Sequence, residues 1–83
     1  MLELYQFEEC PYSTQVRMKM SEWEIDYVLR NVSKLKSKRR RLKRISGQTG
    51  VPTLVDSGHD VIITGDEKKI IAHLGKYYRP QAK

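Results

Sequence analysis

Leu2-Glu3-Leu4-Tyr5-Gln6-Phe7-Glu8-Glu9-Cys10-Pro11-Tyr12-Ser13 is the stretch from which the architecture follows. Leu2, Leu4, Tyr5 and Phe7 put apolar side chains on both faces of a strand, the pattern of a central strand covered on each side. Pro11 then stands where a helix tolerates proline best, in its first turn, because an N–H there would lack an intrahelical acceptor anyway. Val16, Met20 and Trp23 follow at helical spacing, so a strand over Leu2–Phe7 feeds a helix over about Pro11–Trp23. Cys10 falls at the junction, where free N–H groups and the positive end of the helix dipole favour a thiolate. A lone cysteine is more often inert and buried, but the carboxyl end of a strand in an open α/β sheet is a common place for function, and position favours the reactive reading.

Outward from this unit, Ile25–Val32 alternates as a second strand, reached by a crossover long enough to lie parallel to the first. Ser33–Ser46 reads as a basic helix with a narrow stripe of Leu35, Leu42 and Ile45, ended by Gly47 in a left-handed conformation. Val51–Val55 and Val61–Thr64 flank Asp56-Ser57-Gly58-His59-Asp60, a turn composition that makes them an antiparallel hairpin. Thr64 or Asp66 caps a last helix carrying Ile70, Ile71, Leu74, Tyr77 and Tyr78, stopped by Pro80. The order is βαβαββα, an α/β fold of one domain over residues 1–78 with a polar tail at 79–83.

The chain has 83 residues, so its core must be compact and built from few elements. It lacks the run of about 18 apolar residues that a membrane span needs, and it shows no signal-peptide pattern. One cysteine permits no internal disulfide, which fits a reducing compartment; a cytoplasmic monomer is expected. The net charge of +6 comes from 16 Lys and Arg against 10 Asp and Glu. Eight of those bases lie between Lys34 and Arg44, leaving eight bases against ten acids elsewhere. The excess is local, a solvated helix face rather than a general affinity for nucleic acid, although it would also attract acidic partners.

Two further signals lie along the chain. Gly50-Val51-Pro52 opens the third strand, where proline's missing N–H is tolerated and the X-Pro bond accepts the cis form at modest cost; that form would leave the Val51 backbone free to pair with an extended peptide. Thr64-Gly65-Asp66-Glu67 begins the last helix, where backbone N–H groups either bind an anion or simply form a capping box.

In order and spacing, Leu4 to Ser13, then Gly50-Val51-Pro52-Thr53-Leu54, then Ile63-Thr64-Gly65-Asp66, resemble a glutaredoxin over nearly the whole chain. The chain also resembles the N-terminal, glutathione-binding domain of glutathione transferases, whose last helix has a pattern similar to Asp66-Glu67 through Ile70 to Leu74. No helical C-terminal domain follows, so a complete transferase is not expected. The resemblance implies a thioredoxin-like three-layer fold, with a four-stranded mixed sheet flanked by three helices. It implies glutathione as co-substrate, with Cys10 meeting its sulfur, Pro11 and Ser13 completing the active-site motif, and Tyr12 lining the groove. Val51 and Pro52 would hold the tripeptide backbone, Gly65 and Asp66 the γ-glutamyl end, and Gln48 the glycyl carboxylate. Partners would be glutathionylated or disulfide-bearing proteins.

Two departures from the pattern matter. Ser13 stands where many relatives have a second cysteine, so only a monothiol route is available. Glu8 and Glu9 precede Cys10 where a basic residue is common, and their charges oppose thiolate formation. An iron-sulfur cluster, known among monothiol relatives, is not expected with Cys-Pro-Tyr-Ser in place of Cys-Gly-Phe-Ser. No metal site is expected either, because His59 in a turn and His73 in the last helix show no convergent partner. Trp23, Tyr77 and Tyr78 read as packing residues.

Overall fold

Leu4 and Tyr5 are neighbours on one strand yet enter two different apolar clusters, and this alternation organises the molecule. In the computed structural model, which describes residues 1–80, the strands are β1 (Leu2–Gln6), β2 (Val28–Asn31), β3 (Thr53–Asp56) and β4 (Val61–Thr64). The helices are α1 (Pro11–Glu22), α2 (Arg40–Ser46) and α3 (Glu67–Tyr77). The sheet order is β2-β1-β3-β4, with β1 parallel to β2 and the other pairs antiparallel. This is the expected βαβαββα, thioredoxin-like arrangement. The polar tail expected at 79–83 lies partly outside the described residues.

One face of the sheet carries most of the core. Leu2, Leu4 and Leu54 meet Val16 and Met20 of α1 and Ile70 and Leu74 of α3, all buried. At about 1.5–3 kcal/mol per fully buried large apolar side chain, this layer supplies most of the hydrophobic stabilisation. Trp23 packs against its margin, with the ring 3.4 Å from where a Cβ on Gly75 would stand, so the ring lies close against the α3 backbone there.

The opposite face is thinner. Tyr5 and Val55 meet only Leu42 among the buried residues of α2, with Val32 and Val51 alongside. The expected stripe of Leu35, Leu42 and Ile45 is corrected here, since Leu35 and Ile45 are exposed. The helix expected over Ser33–Ser46 is also shorter. A 3-10 turn over Lys36–Lys38 precedes α2, and Arg39 between them has φ −89° and ψ 55°, outside helical geometry.

Arg39 explains the break. Its side chain is buried, donating from Nε to the Ser33 carbonyl at 2.7 Å, from Nη1 to Thr49 at 2.7 Å and from Nη2 to Lys34 at 3.1 Å. A buried guanidinium needs several acceptors, and non-helical backbone supplies carbonyls that a helix would use itself. The basic segment therefore exposes seven cations rather than eight. Gly47 ends α2 at φ 74°, the left-handed cap anticipated from its position.

The remaining bounds differ little. β2 begins at Val28 rather than Ile25, after a turn in which Glu24 has φ 54° and Ile25 donates its N–H to the Met20 carbonyl at 2.8 Å. β3 begins at Thr53, just past Pro52. No described helix is long and apolar enough to cross a membrane.

Candidate functional site

The chain register places three segments at one end of the sheet. β1 ends at Gln6, Tyr5 pairs with Thr53 at the start of β3, and Thr53 pairs with Thr64 at the end of β4. The loop to Cys10, the Gly50-Val51-Pro52 segment and the Gly65-Asp66 turn therefore leave the sheet side by side. Gly65 donates its N–H to the Pro52 carbonyl at 2.8 Å, and a Cβ on Gly50 would stand 3.4 Å from Gly65 Cα. Gly65 itself has φ 66°, a conformation that favours glycine.

Cys10 is the N-cap of α1. Its Sγ accepts the Ser13 backbone N–H at 3.4 Å, and its carbonyl accepts from both the Thr14 N–H and the Thr14 hydroxyl at 3.0 Å. The sulfur thus replaces the oxygen that usually satisfies a first-turn donor, and faces the positive end of the helix. Cys10 is largely buried at 5% exposure, so a partner reaches it only through a limited opening. Ser13, fully buried, carries the single buried side-chain polar atom without a hydrogen-bond partner among the described residues.

The other expected binding residues are distributed around this end. Tyr12 is exposed at the start of α1. Val51 turns its side chain into the α2 cluster, while its backbone forms no hydrogen bond among the described residues. Pro52 is buried, with the Val51-Pro52 bond cis. Asp66 caps α3 by accepting the Lys69 N–H at 3.0 Å, and both it and Gly65 are exposed. Gln48 is exposed beyond the end of α2, its backbone tied to the Ser46 hydroxyl.

The acidic pair before Cys10 is not left as bare negative charge. Lys34 lies 3.1 Å from Glu9 and holds its carboxyl below the usual range, while Arg17 lies 3.8 Å from Glu8. Arg17 also donates to the Glu8 carbonyl at 3.3 Å, to the Thr14 hydroxyl at 3.1 Å and to the buried Gln6 side chain. It fastens the loop before Cys10 to the helix after it. Arg39 does similar work on the other side, with its guanidinium 5.3 Å from the Phe7 ring and bonded to Thr49 just before Gly50. Neither arginine stands out in the sequence, because each acts through a fold contact rather than a motif.

At the opposite end of the sheet the structure corrects one expectation outright. His59 and His73 do converge, on Asp56, the fully buried last residue of β3. Oδ2 of Asp56 lies 2.8 Å from His59 Nδ1, 2.8 Å from His73 Nε2 and 2.9 Å from the Tyr78 hydroxyl. Burial pushes the Asp56 carboxyl up, but the hydrogen bonds from His73, Tyr78 and His59 prevail and hold it at about 2. Burial and the adjacent carboxylate push the Tyr78 phenol up to about 12. The sequence offered weak signals only: His73 borders the apolar face of α3 between buried Ile70 and Leu74, and Asp56 directly ends a buried strand.

With the geometry in view, comparison with known proteins adds a family likeness. The glutaredoxin family model matches residues 2–61. Glutathione transferase E6 from Drosophila melanogaster superposes with TM-score 0.80 at 27% identity, over 98% of this chain and 36% of that one. The E7 glutathione S-transferase isozyme of the same fly gives 0.78 and 31%, over 94% and 35%. Human glutathione transferase theta-2, solved in complex with glutathione, gives 0.81 and 28%, over 96% and 33%. The chain thus spans about a third of these transferases, matching their N-terminal thioredoxin-like domain. No curated protein sequence matches the chain.

Proposed function

The chain belongs to the glutaredoxin family, and from that premise we propose that it binds glutathione beside Cys10 and exchanges thiol for disulfide there by a monothiol route. The observation that carries the reading is the seat of Cys10, a sulfur at the N-cap of α1 accepting a first-turn N–H. In the first step the Cys10 thiolate attacks the glutathione sulfur of a protein-glutathione mixed disulfide, and the protein thiolate leaves. A second glutathione thiolate then attacks the sulfur of the glutathione held on Cys10, releasing glutathione disulfide and the Cys10 thiolate. Across both steps, one mixed disulfide and one glutathione thiol become one protein thiol and one glutathione disulfide, so each disulfide bond broken is matched by one formed. Ser13 supplies no second thiol, so no intramolecular disulfide forms on the way.

The unpaired backbone of Val51 is suited to hold an extended tripeptide, as an added strand would be held. Tyr12 lines the same groove, Gly65 and Asp66 hold the γ-glutamyl end, and Gln48 takes the glycyl carboxylate. The seven exposed cations of the 34–44 segment favour the approach of an acidic partner. The test is reduction of a glutathione mixed disulfide by the wild-type protein and by Cys10→Ser. Turnover that disappears in the variant supports the reading; a folded wild-type protein with no turnover sinks it.

A second reading draws on the likeness to transferase N-terminal domains, one of which was solved with glutathione. In that reading the chain binds glutathione without redox turnover, as a binding or interaction module. Binding that survives Cys10→Ser, with no exchange activity in the wild type, would favour it.

A further inference from the structure

Asp56, His59 and His73 come from the end of β3, the following turn and the body of α3, yet they aim three ligand atoms at one place. Those atoms, one from each residue, all lie within 4.8 Å of one another. Oδ2 of Asp56 lies 2.8 Å from each imidazole nitrogen and 2.9 Å from the Tyr78 hydroxyl. Three polar atoms thus crowd one oxygen, while among the described residues Oδ1 receives only the His59 backbone N–H at 3.3 Å.

We propose that Asp56, His59 and His73 form a zinc site, separate from the Cys10 groove. Zinc bonds of about 2.0–2.1 Å to nitrogen and oxygen set tetrahedral ligand atoms roughly 3.3 Å apart. Holding the ion needs the two 2.8 Å contacts to open by about half an ångström and the two imidazole nitrogens, within 4.8 Å of each other, to stand at the same roughly 3.3 Å spacing. Two imidazoles and one carboxylate suit Zn2+, whereas Mg2+ and Ca2+ prefer oxygen sets. His59, with its side chain 36% exposed, gives the ion a path to solvent and leaves the fourth position to water. Tyr78 stays outside the set and orients the carboxylate through its hydroxyl.

Proton balance is simple. Without metal, His59 Nδ1 and His73 Nε2 face the carboxylate. To ligate, each nitrogen must be unprotonated, so a proton directed at Asp56 moves to the ring's other nitrogen or leaves when zinc binds.

The full chain, freed of metal with a chelator, is titrated with Zn2+ by calorimetry and with Co2+ by visible absorption. The expected result is one ion per chain, with the absorption of four-coordinate Co2+. His59→Ala lies in an exposed turn and His73→Gln keeps a polar side chain beside Asp56. Circular dichroism establishes that both are folded, and each should weaken zinc by more than the roughly 10-fold minimum seen for loss of outer-shell partners. The proposal is overturned by absence of uptake, by either folded variant binding as the wild type does, or by uptake that vanishes in Cys10→Ser, which would assign the ion to the thiol.

Discussion

The two ends of the sheet handle polar groups in opposite ways. Around Cys10 the hydrogen bonding is incomplete: the Val51 backbone has no partner among the described residues, the Ser13 hydroxyl is buried alone, and Gly65, Asp66, Gln48 and Tyr12 face outward. Around Asp56 the polar groups answer one another inside the chain, through two histidines, a tyrosine and a backbone N–H. An unfinished end suits a ligand that supplies the missing partners. A self-satisfied end suits stability, and in this molecule also fixes three ligand atoms in place. Damage at the Asp56 end should therefore show first as lost stability, and damage at the Cys10 end first as lost binding.

The largest effect should come from Asp56→Ala. His73 and Tyr78 would each lose an acceptor in a largely enclosed setting, while half-exposed His59 turns to water. At about 1–3 kcal/mol per unsatisfied buried group, we expect a loss of about 3 kcal/mol in urea unfolding. Asp56→Asn keeps the shape and one acceptor, and should lose less. Glutathione affinity of the folded fraction should not change; a parallel loss would mean that the two ends are not independent.

Removing Arg39 tests the other end. Leu42 is the one buried apolar residue that α2 contributes, so the three carbonyl bonds of Arg39 are the other main attachment of this layer. Arg39→Ala should destabilise by about 2–3 kcal/mol, since bonds to a charged donor count for more than neutral ones. It should also weaken glutathione, because Thr49 leads directly into Gly50-Val51. Arg39→Lys should recover only part of either loss, as one ammonium cannot span three carbonyls in a fixed fork. Stability lost with glutathione affinity intact would show that the groove is held without Arg39.

Acid titration separates the ends again. Asp56 sits at about 2 in the fold against about 3.9 in an unfolded chain. A depressed carboxyl contributes stability that is complete above the unfolded value and lost as pH falls through the folded one. Between about pH 4 and pH 2 the chelated protein should therefore lose about 2 kcal/mol from this group. Unfolding curves of Asp56→Asn should lack that component; equal acid sensitivity would place the linkage in other carboxylates.

The sequence made the fold legible where one residue's pattern carries one element. Apolar residues on both faces placed β1, Pro11 placed the start of α1, and Gly47 and Asp66, one of two cap candidates for α3, mark helix ends that the structure has at those residues. It failed where a side chain works across elements. The Ser33–Ser46 helix was too long because Arg39 looks like one more surface cation until its three acceptors, from residues 33, 34 and 49, are in place. The Asp56 cluster was missed for the same reason: Asp56 and His73 are 17 residues apart and meet only through the packing of α3 on the sheet. For the Cys10 end, the motifs found the segments, and the strand register showed that they leave the sheet together. The ligand roles of the individual residues rest on family likeness.

The smallest effect should come from Ser13, and its sign is the informative part. The hydroxyl is fully buried with no partner among the described residues, next to a cysteine whose sulfur already takes the Ser13 N–H. Leaving a hydroxyl so desolvated costs about 1–3 kcal/mol, whereas Ser13→Ala removes the polar atom and opens a space smaller than a water molecule. We expect a gain of about 1 kcal/mol in urea unfolding after the cost of that small void. The gain should persist when Cys10 is blocked by alkylation, provided the fold accepts the adduct. A loss of stability confined to the free-thiol protein would instead show that the hydroxyl serves the Cys10 sulfur. The contrast would then need revising, because the Cys10 end would already satisfy internally a polar group that was counted as unfinished.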